Sequence, residues 1–199
     1  MGKSIGLLVA IGLGLLFVIS GCGSYNNLVD KDEDVEKAWG QVETQYQRRA
    51  DLVPQLVATV KGAADFEKST ITAVTEARSN ATSIKIDPSN ITPEQLKQFQ
   101  QAQAGLTSSL SRLLATFERY PELKATDNFK DLQTELAGTE NRIAVARRDF
   151  NEAVTTYNKS VRRFPAAIYA SIFGFDRRPQ FESDAGAEDA PEIDFDFSE

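Results

Sequence analysis

Apolar residues recur at alternating steps of three and four along most of the chain, a spacing typical of helices that pack in coiled-coil fashion. The clearest helix has Thr92 placed as its cap, Pro93 at its first position and Gln95 at its third. Pro121 is expected to end it. The positions on its seam are Leu96, Phe99, Gln103, Leu106, Leu110, Leu113, Phe117 and Tyr120.

Two further long helices follow from the same spacing. One seam runs from Val35 to Ile84 and keeps its phase through Pro54, which predicts one long helix kinked at that proline. Asp51 offers an alternative, since it is placed to cap a new helix with Pro54 in its first turn, and four helices would then replace three. The last long helix is expected between Phe129 and Phe164.

No stretch of this body alternates with period two, so no sheet is expected. The sequence predicts an all-α fold, an antiparallel up-and-down bundle of three long helices with coiled-coil-like packing, followed by a short C-terminal helix within residues 166–175. Polar residues interrupt the seams at Arg49 and Glu67. We expect a buried polar layer that pairs Arg49 with Glu140, or else an arginine that extends along its apolar stem to water.

The N-terminus has the pattern of an export signal. Lys3 precedes an apolar run at residues 5–19, and Ile19-Ser20-Gly21-Cys22 resembles the bacterial lipobox, in which the cysteine thiol receives diacylglycerol before cleavage ahead of it. An uncleaved helix over residues 5–23 is the alternative, just long enough to span a bilayer. Under both interpretations Lys3 stays inside and the rest of the chain lies on the exported, periplasmic side of the bacterial cell envelope.

The chain therefore divides into four expected parts: a signal peptide or anchor at 1–22, a linker at 23–30, the helical body at 31–175 and an acidic, disordered tail at 176–199. The net charge is -7, with 22 Lys plus Arg against 29 Asp plus Glu, and eight of the acids lie between Glu182 and Glu199. The body is thus nearly neutral. It has no basic face of the kind that nucleic acid requires, so no nucleic-acid partner is expected.

Composition also limits the chemistry. The chain has no histidine and one cysteine, Cys22, which excludes an internal disulfide, His-dependent triads and thiolate or His-Glu metal centres. Only carboxylate, Lys, Tyr or Ser-Lys chemistry would remain. We expect no metal, no cofactor and no catalytic residues. The lipobox-like residues before Cys22 predict that this cysteine is a lipidation site.

Two segments are candidates for binding. The apolar segment 166–175, with Ile168, Tyr169, Ile172 and Phe173, is expected either to cap the bundle or to touch the membrane or a partner. Three long helices would place it at the end away from the anchor, whereas a break at Pro54 would return it to the membrane. In the tail, Ile193, Phe195 and Phe197 alternate with polar residues. We expect either a docking strand that binds the sheet edge of a partner, or a solvated acidic tail with no partner.

Several motifs occur in order along the chain: YNNLV at 25–29, VEKAW at 35–39, ETQYQRRADLVPQLVATVKG at 43–62, TENRIAVAR at 139–147, YN at 157–158, FP at 164–165 and GF at 174–175. Together they resemble the LemA family of bacterial membrane-associated proteins, over roughly residues 25–182. The resemblance implies an N-terminal membrane segment, an all-helical bundle, no recognised catalytic residue and, as candidate partners, a membrane protease or an envelope stress system. Cys22 departs from the uncleaved helix usual in the family, and the acidic tail lies outside the resemblance. The expected role is a membrane-anchored, non-enzymatic scaffold or adaptor, or alternatively a lipid- or ligand-handling protein that uses residues 166–175.

Overall fold

The fold is that of an all-helical bundle, as predicted. The computed structural model describes residues 2–60, 67–124 and 126–182, and this part of the chain contains no β-strand. Among the described residues, none of the helices combines the length and the apolar character needed to cross a bilayer. The helices are α1 (Gly2–Val60), α2 (Lys68–Ser83), a 3-10 turn (Pro88–Asn90), α3 (Pro93–Phe117), α4 (Pro121–Lys124), α5 (Asp127–Arg162) and α6 (Ala166–Phe173).

Helix α1 is continuous through Pro54, so the alternative of a helix break at that proline is wrong. The expected linker at 23–30 is also wrong, because these residues belong to α1 and Leu28 within them is completely buried. A helix that is already packed at Leu28 needs no flexible connection to the bundle. The burial of Leu28 shows that α1 already packs against the rest of the bundle at this position.

The single helix expected from Val35 to Ile84 is two helices. α1 ends at Val60 and α2 folds back along it, since Arg78 Nε donates to the Ala50 carbonyl at 2.8 Å. These two residues are 28 positions apart, a separation of about 42 Å in a continuous helix. Folding back buries Val74 and Ala81 of α2 against the leucines of α1 and α3. The bundle consequently has four main helices instead of three.

The helices pack as two antiparallel pairs, α1 with α5 and α2 with α3, and α1 also contacts α2. The core falls into two clusters along the bundle. One surrounds Trp39 and Phe150, and the other surrounds Leu56 and Leu113. Buried polar residues lie between them, at the same height on three helices: Arg49 on α1, Gln103 on α3 and Thr139 on α5.

Local signals in the sequence are confirmed at α3. Thr92 Oγ1 accepts from the Gln95 amide at 3.2 Å, and Gln95 Oε1 accepts from the Thr92 amide at 3.0 Å, which completes the capping box. Pro93 is the first residue of the helix. The helix ends at Phe117, a turn before Pro121, and every predicted seam residue from Leu96 to Phe117 is buried.

Candidate functional site

Helix α6 lies against α1 beside Cys22. The ring of Tyr25 meets Phe173 edge-on at 4.9 Å between centroids and Phe175 at 5.8 Å. One turn earlier, a Cβ placed on Gly21 would come within 2.8 Å of Cε1 of Tyr169, so glycine is what allows the two helices to approach this closely. The short helix is thus fixed to the stretch of α1 that directly follows the apolar N-terminal run.

This position decides a question that the sequence left open. The chain reverses between Val60 and Lys68, so four main helices run up and down the bundle and the last one delivers α6 back to the end that holds Cys22. The expectation for three long helices, α6 at the far end, is wrong. The return of α6 to the end that holds Cys22 does follow from an extra reversal of the chain, as expected. That reversal lies between Val60 and Lys68 and not at Pro54.

The outer side of α6 is an exposed apolar surface. Ile172 is 62% exposed, Phe173 is 56% exposed, and Phe164 just before the helix is 82% exposed. Exposed apolar side chains that lie together on a folded protein commonly mark a contact surface. We call Phe164, Ile168, Ile172 and Phe173 the α6 apolar face. Tyr169, which the sequence grouped with this surface, is only 4% exposed and packs inward against α1.

After α6 the chain continues as an ordered, extended segment, residues 175–182, which we call the strap. Two asparagines of α5 hold it by its backbone. Asn158 accepts from the Arg178 amide and donates to the Arg178 carbonyl, both at 2.9 Å. Asn151, two turns earlier, does the same for Phe181 at 2.9 and 3.1 Å. The bundle therefore extends at least to Glu182, and the boundary expected at residue 175 is too early.

Side chains of the strap close the core at the end of the bundle that holds Cys22. Phe181 is buried and stacks on Trp39, with ring centroids 6.0 Å apart. Arg178 forms a two-pronged ion pair with Asp32 of α1, in which Nη2 lies 2.9 Å and Nε 3.2 Å from Oδ1. The Arg178 guanidinium also lies over the ring of Tyr157. Burial, together with the nearby Asp32 carboxylate, raises the pKa of the Tyr157 phenol to about 12.

The polar layer predicted at Arg49 exists, and it joins all four main helices. Arg49 is 2% exposed, so the alternative in which its side chain reaches water is wrong. Nη1 donates to Glu140 at 3.0 Å and to Thr107 at 2.7 Å, while Nη2 donates to Gln103 Oε1 at 2.6 Å. Gln103 in turn donates to the Ala81 carbonyl of α2 at 3.2 Å. The layer therefore sets the relative heights of the helices.

Glu67, the other polar seam residue, does not join this layer. It is the residue before α2 and forms an exposed ion pair with Arg119 at 3.1 Å. Its place in the predicted seam is wrong because α1 had already ended at Val60. An exposed polar side chain is therefore favourable at position 67.

A cleft of about 330 Å³ opens above the layer, between α1, α3 and α5. Tyr46, Gln100, Glu140 and Arg147 are among the residues that line it. Arg49 already gives four hydrogen bonds to protein atoms through its two terminal nitrogens, which marks it as a structural residue. In the part of the chain that the structure describes, no group of three or more acidic or sulfur-containing side chains is placed to hold a metal ion.

Two of the predicted sites stay predictions. Cys22 is exposed and lies on α1 beside α6, where its thiol is accessible for modification. Ile193, Phe195 and Phe197 lie outside the described residues, so the docking strand stays a prediction. The strap was missed by the sequence reasoning. The signal was two asparagines seven residues apart on one face of α5, each able to pair with a passing peptide unit.

Comparison with known proteins places these features in a family context. The chain matches the LemA family over residues 38–195. The match begins later than the resemblance seen in the sequence and extends further, so it includes most of the acidic tail that had been placed outside it. The strap and the polar layer both lie within the matched range.

Three relatives illustrate the range of the similarity. Magnetosome protein MamQ 2 of Paramagnetospirillum magneticum is 30% identical over 175 residues, which cover 79% of this chain and 64% of the relative. Magnetosome protein MamQ of Magnetospirillum gryphiswaldense is 30% identical over 186 residues, 85% of this chain and 68% of the relative. Protein LemA of Metamycoplasma hominis is 24% identical over 158 residues, 79% of this chain and 68% of the relative. The chain thus spans about two thirds of the length of the relatives that it matches.

Proposed function

The chain belongs to the LemA family, which consists of membrane-associated bacterial proteins, and we propose that it is a membrane-anchored, envelope-exposed, non-enzymatic scaffold or adaptor. One observation carries this proposal. The α6 apolar face lies beside Cys22, at the end of the bundle that the anchor would hold at the membrane. A partner within or close to the bilayer would meet this surface first.

The anchor is proposed to be a diacylglycerol on Cys22. The exposed thiol and the lipobox-like residues before it support this assignment. The test is the intact mass of the membrane-extracted protein compared with that of Cys22→Ser. A mass that starts at Cys22 and includes acyl chains, lost in the variant, is the expected result. A full-length unmodified mass would contradict lipidation and favour an uncleaved anchor.

The partner surface can be tested in cells with a photo-crosslinking amino acid. We would place it at Ile172 on the α6 apolar face and, as a matched control, at Thr72 on the exposed side of α2. The adaptor function predicts a discrete protein adduct at 172 that is absent at 72. Equal, diffuse labelling at both positions would contradict a contact surface on α6.

The same experiment distinguishes a second candidate function, a protein that handles lipid or another apolar ligand through residues 166–175. The position of α6 beside Cys22 favours it, since a bilayer surface would lie within reach of Ile172 and Phe173. Lipid handling predicts that the adduct at position 172 has the mass of the protein plus one lipid. A protein adduct in its place would favour the adaptor.

The tail is proposed to add a second contact, in which Ile193, Phe195 and Phe197 fill pockets beside a strand edge of the partner. A membrane protease is one candidate, on the strength of the family resemblance alone. The test compares proteins captured from envelope extract by the full chain and by a version that stops at Ser183. Loss of a specific protein from the truncated version is expected, and identical captured proteins would end the idea.

A further inference from the structure

A groove between the last turns of α5 and the strap is lined by four cations. Thr155, Asn158 and Gln180 form the rest of its wall, and its volume is about 390 Å³. No carboxylate is among its lining residues in the described part of the chain. We call it the basic groove, and its cations are Lys159, Arg162, Arg163 and Arg177.

These cations are brought together by the tertiary structure. Lys159 and Arg162 lie in the last turn of α5, where cations interact favourably with the helix dipole. Arg163 follows the helix, and Arg177 comes from the strap, so the dipole does not account for them. The ion pair of Arg178 with Asp32 fixes the strap and thereby holds its neighbour Arg177 beside α5.

Within the described part of the chain, no ion pair offsets the positive charge of the groove. None of the ion pairs formed among the described residues involves its four cations. On α1, Asp32 pairs with Arg178 and Asp34 pairs with Lys31, so neither of these two carboxylates pairs with a cation of the groove. Like charges this close repel one another, and a phosphate would relieve that repulsion and accept from several guanidinium groups at once.

The position of the groove favours a lipid as the source of the phosphate. Contacts to Tyr25 and Asp32 place this end of the bundle beside residues 25–32 of α1, which begin roughly 5 Å along the helix from Cys22, the proposed point of attachment to the membrane. Headgroups extend roughly 5–8 Å beyond the hydrocarbon core, and electrostatic attraction reaches about 8 Å further at physiological salt. The α6 apolar face lies at the same end and would enter the interface beside it.

We propose that the basic groove binds the phosphate of an anionic phospholipid headgroup at the membrane that holds the anchor. The proposal depends on the proposed anchoring only for the position of the groove at that surface. Binding of a water-soluble lipid to the purified protein does not require the anchor, so failure of the groove and failure of the anchoring can be told apart.

The test uses the full chain in nonionic detergent, titrated with dioctanoyl phosphatidylglycerol. Dioctanoyl phosphatidylcholine, with the same acyl chains and no net charge, and inorganic phosphate are titrated in parallel. We expect phosphatidylglycerol to bind at least tenfold more tightly than either, and its affinity to fall at least tenfold between 50 and 500 mM salt, as expected for attraction between exposed charges.

Two matched variants assign the binding to the groove. K159Q/R162Q/R163Q/R177Q removes its cations, and K68Q/K85Q/K97Q/R112Q removes four exposed cations elsewhere on the bundle. The first is expected to lose at least tenfold in affinity for phosphatidylglycerol and the second less than twofold. R162K/R163K/R177K keeps the charge and is expected to retain most of the binding, which separates a charge effect from a fold effect.

Three results would overturn the proposal. The first is unchanged phosphatidylglycerol affinity in the groove variant. The second is equal affinity for the two lipids. The third is inorganic phosphate that binds as tightly as phosphatidylglycerol and is lost in the same variant, because the groove would then be a site for a soluble anion.

Discussion

Arg178 of the strap and Asp32 of α1 are joined by an ion pair across 146 residues of sequence, with Arg178 Nη2 2.9 Å from Asp32 Oδ1. Both side chains are largely shielded from solvent, at 11% and 22% exposed. The pair therefore ties the C-terminal segment to the start of the bundle, close to α6 and the basic groove.

Asp32→Asn is expected to loosen the strap. It removes the charge from a shielded, two-pronged contact while keeping the side-chain shape, and we expect a loss of roughly 1–3 kcal/mol in the free energy of unfolding. Urea denaturation measures the loss, and hydrogen exchange at the Arg178 and Phe181 amides localises it. Asp34→Asn, which breaks an exposed pair with Lys31 on the same helix, should cost less than about 1 kcal/mol. Equal losses of stability in the two variants would show that the strap is held by the hydrogen bonds of Asn151 and Asn158 alone.

Arg49→Leu tests the polar layer. Glu140 is 39% exposed and would stay hydrated, but the buried Gln103 Oε1 would lose its donor, so we expect a cost of about 1–3 kcal/mol. Arg48→Leu is the matched control, because Arg48 also pairs with a carboxylate of α5, Glu135, at an exposed position. Its expected cost is below about 1 kcal/mol. A higher melting temperature for Arg49→Leu, with export and assembly unchanged, would show that the layer is not needed.

Gly21 and Gly23 form a natural pair for testing the contact between α1 and α6. Both lie within α1, where replacement of glycine by alanine normally stabilises a helix by about 0.5–1 kcal/mol. A Cβ at 23 meets no heavy atom within 4 Å, whereas a Cβ at 21 meets the Tyr169 ring at 2.8 Å. In the unprocessed full-length chain, which retains residue 21, we expect Gly23→Ala to keep the gain and Gly21→Ala to lose it, with faster hydrogen exchange in α6. Identical exchange in the two variants would contradict the packing described for Tyr169.

The raised pKa of Tyr157 predicts that the protein loses stability at alkaline pH. Because its pKa is raised from the ordinary value of 10 to about 12 in the folded protein, the folded state keeps a proton that the unfolded chain loses. Stability should therefore fall as the pH rises from about 10 to about 12. In Tyr157→Phe this contribution is absent. The melting temperature of the wild type should therefore fall relative to that of the variant as the pH rises across that range.

Tyr25→Phe provides the comparison for that experiment. Tyr25 is on the exposed surface of α1, and its replacement accounts for the general effect of removing one phenol. A pH profile for Tyr157→Phe that parallels the profile of Tyr25→Phe would show that the buried ring contributes nothing specific.

Features that depend on short stretches of chain were predictable. The capping box at Thr92 and Gln95 forms within one turn of helix, and the buried face of α3 follows from the three-four spacing alone. These features are decided by backbone hydrogen bonds and apolar periodicity among near neighbours in sequence.

The reversal after Val60 was not predictable from periodicity, because the apolar spacing of α2 happens to continue the phase of α1. The reversal is shown by contacts between residues far apart in sequence, namely the hydrogen bond from Arg78 to the Ala50 carbonyl and the packing of Val74 and Ala81 against the leucines of α1 and α3. The strap has no periodicity at all, and its conformation comes from Asn151 and Asn158 on a distant helix. The sequence by itself determined the class of fold and the helical faces, because each is encoded in local spacing. It offered the buried polar layer only as one of two interpretations of Arg49, and the contacts of that buried side chain with residues far away in sequence decided between them. The tertiary structure alone decided how often the chain reverses, where α6 lies and which cations share a groove, since those depend on contacts between residues far apart in sequence.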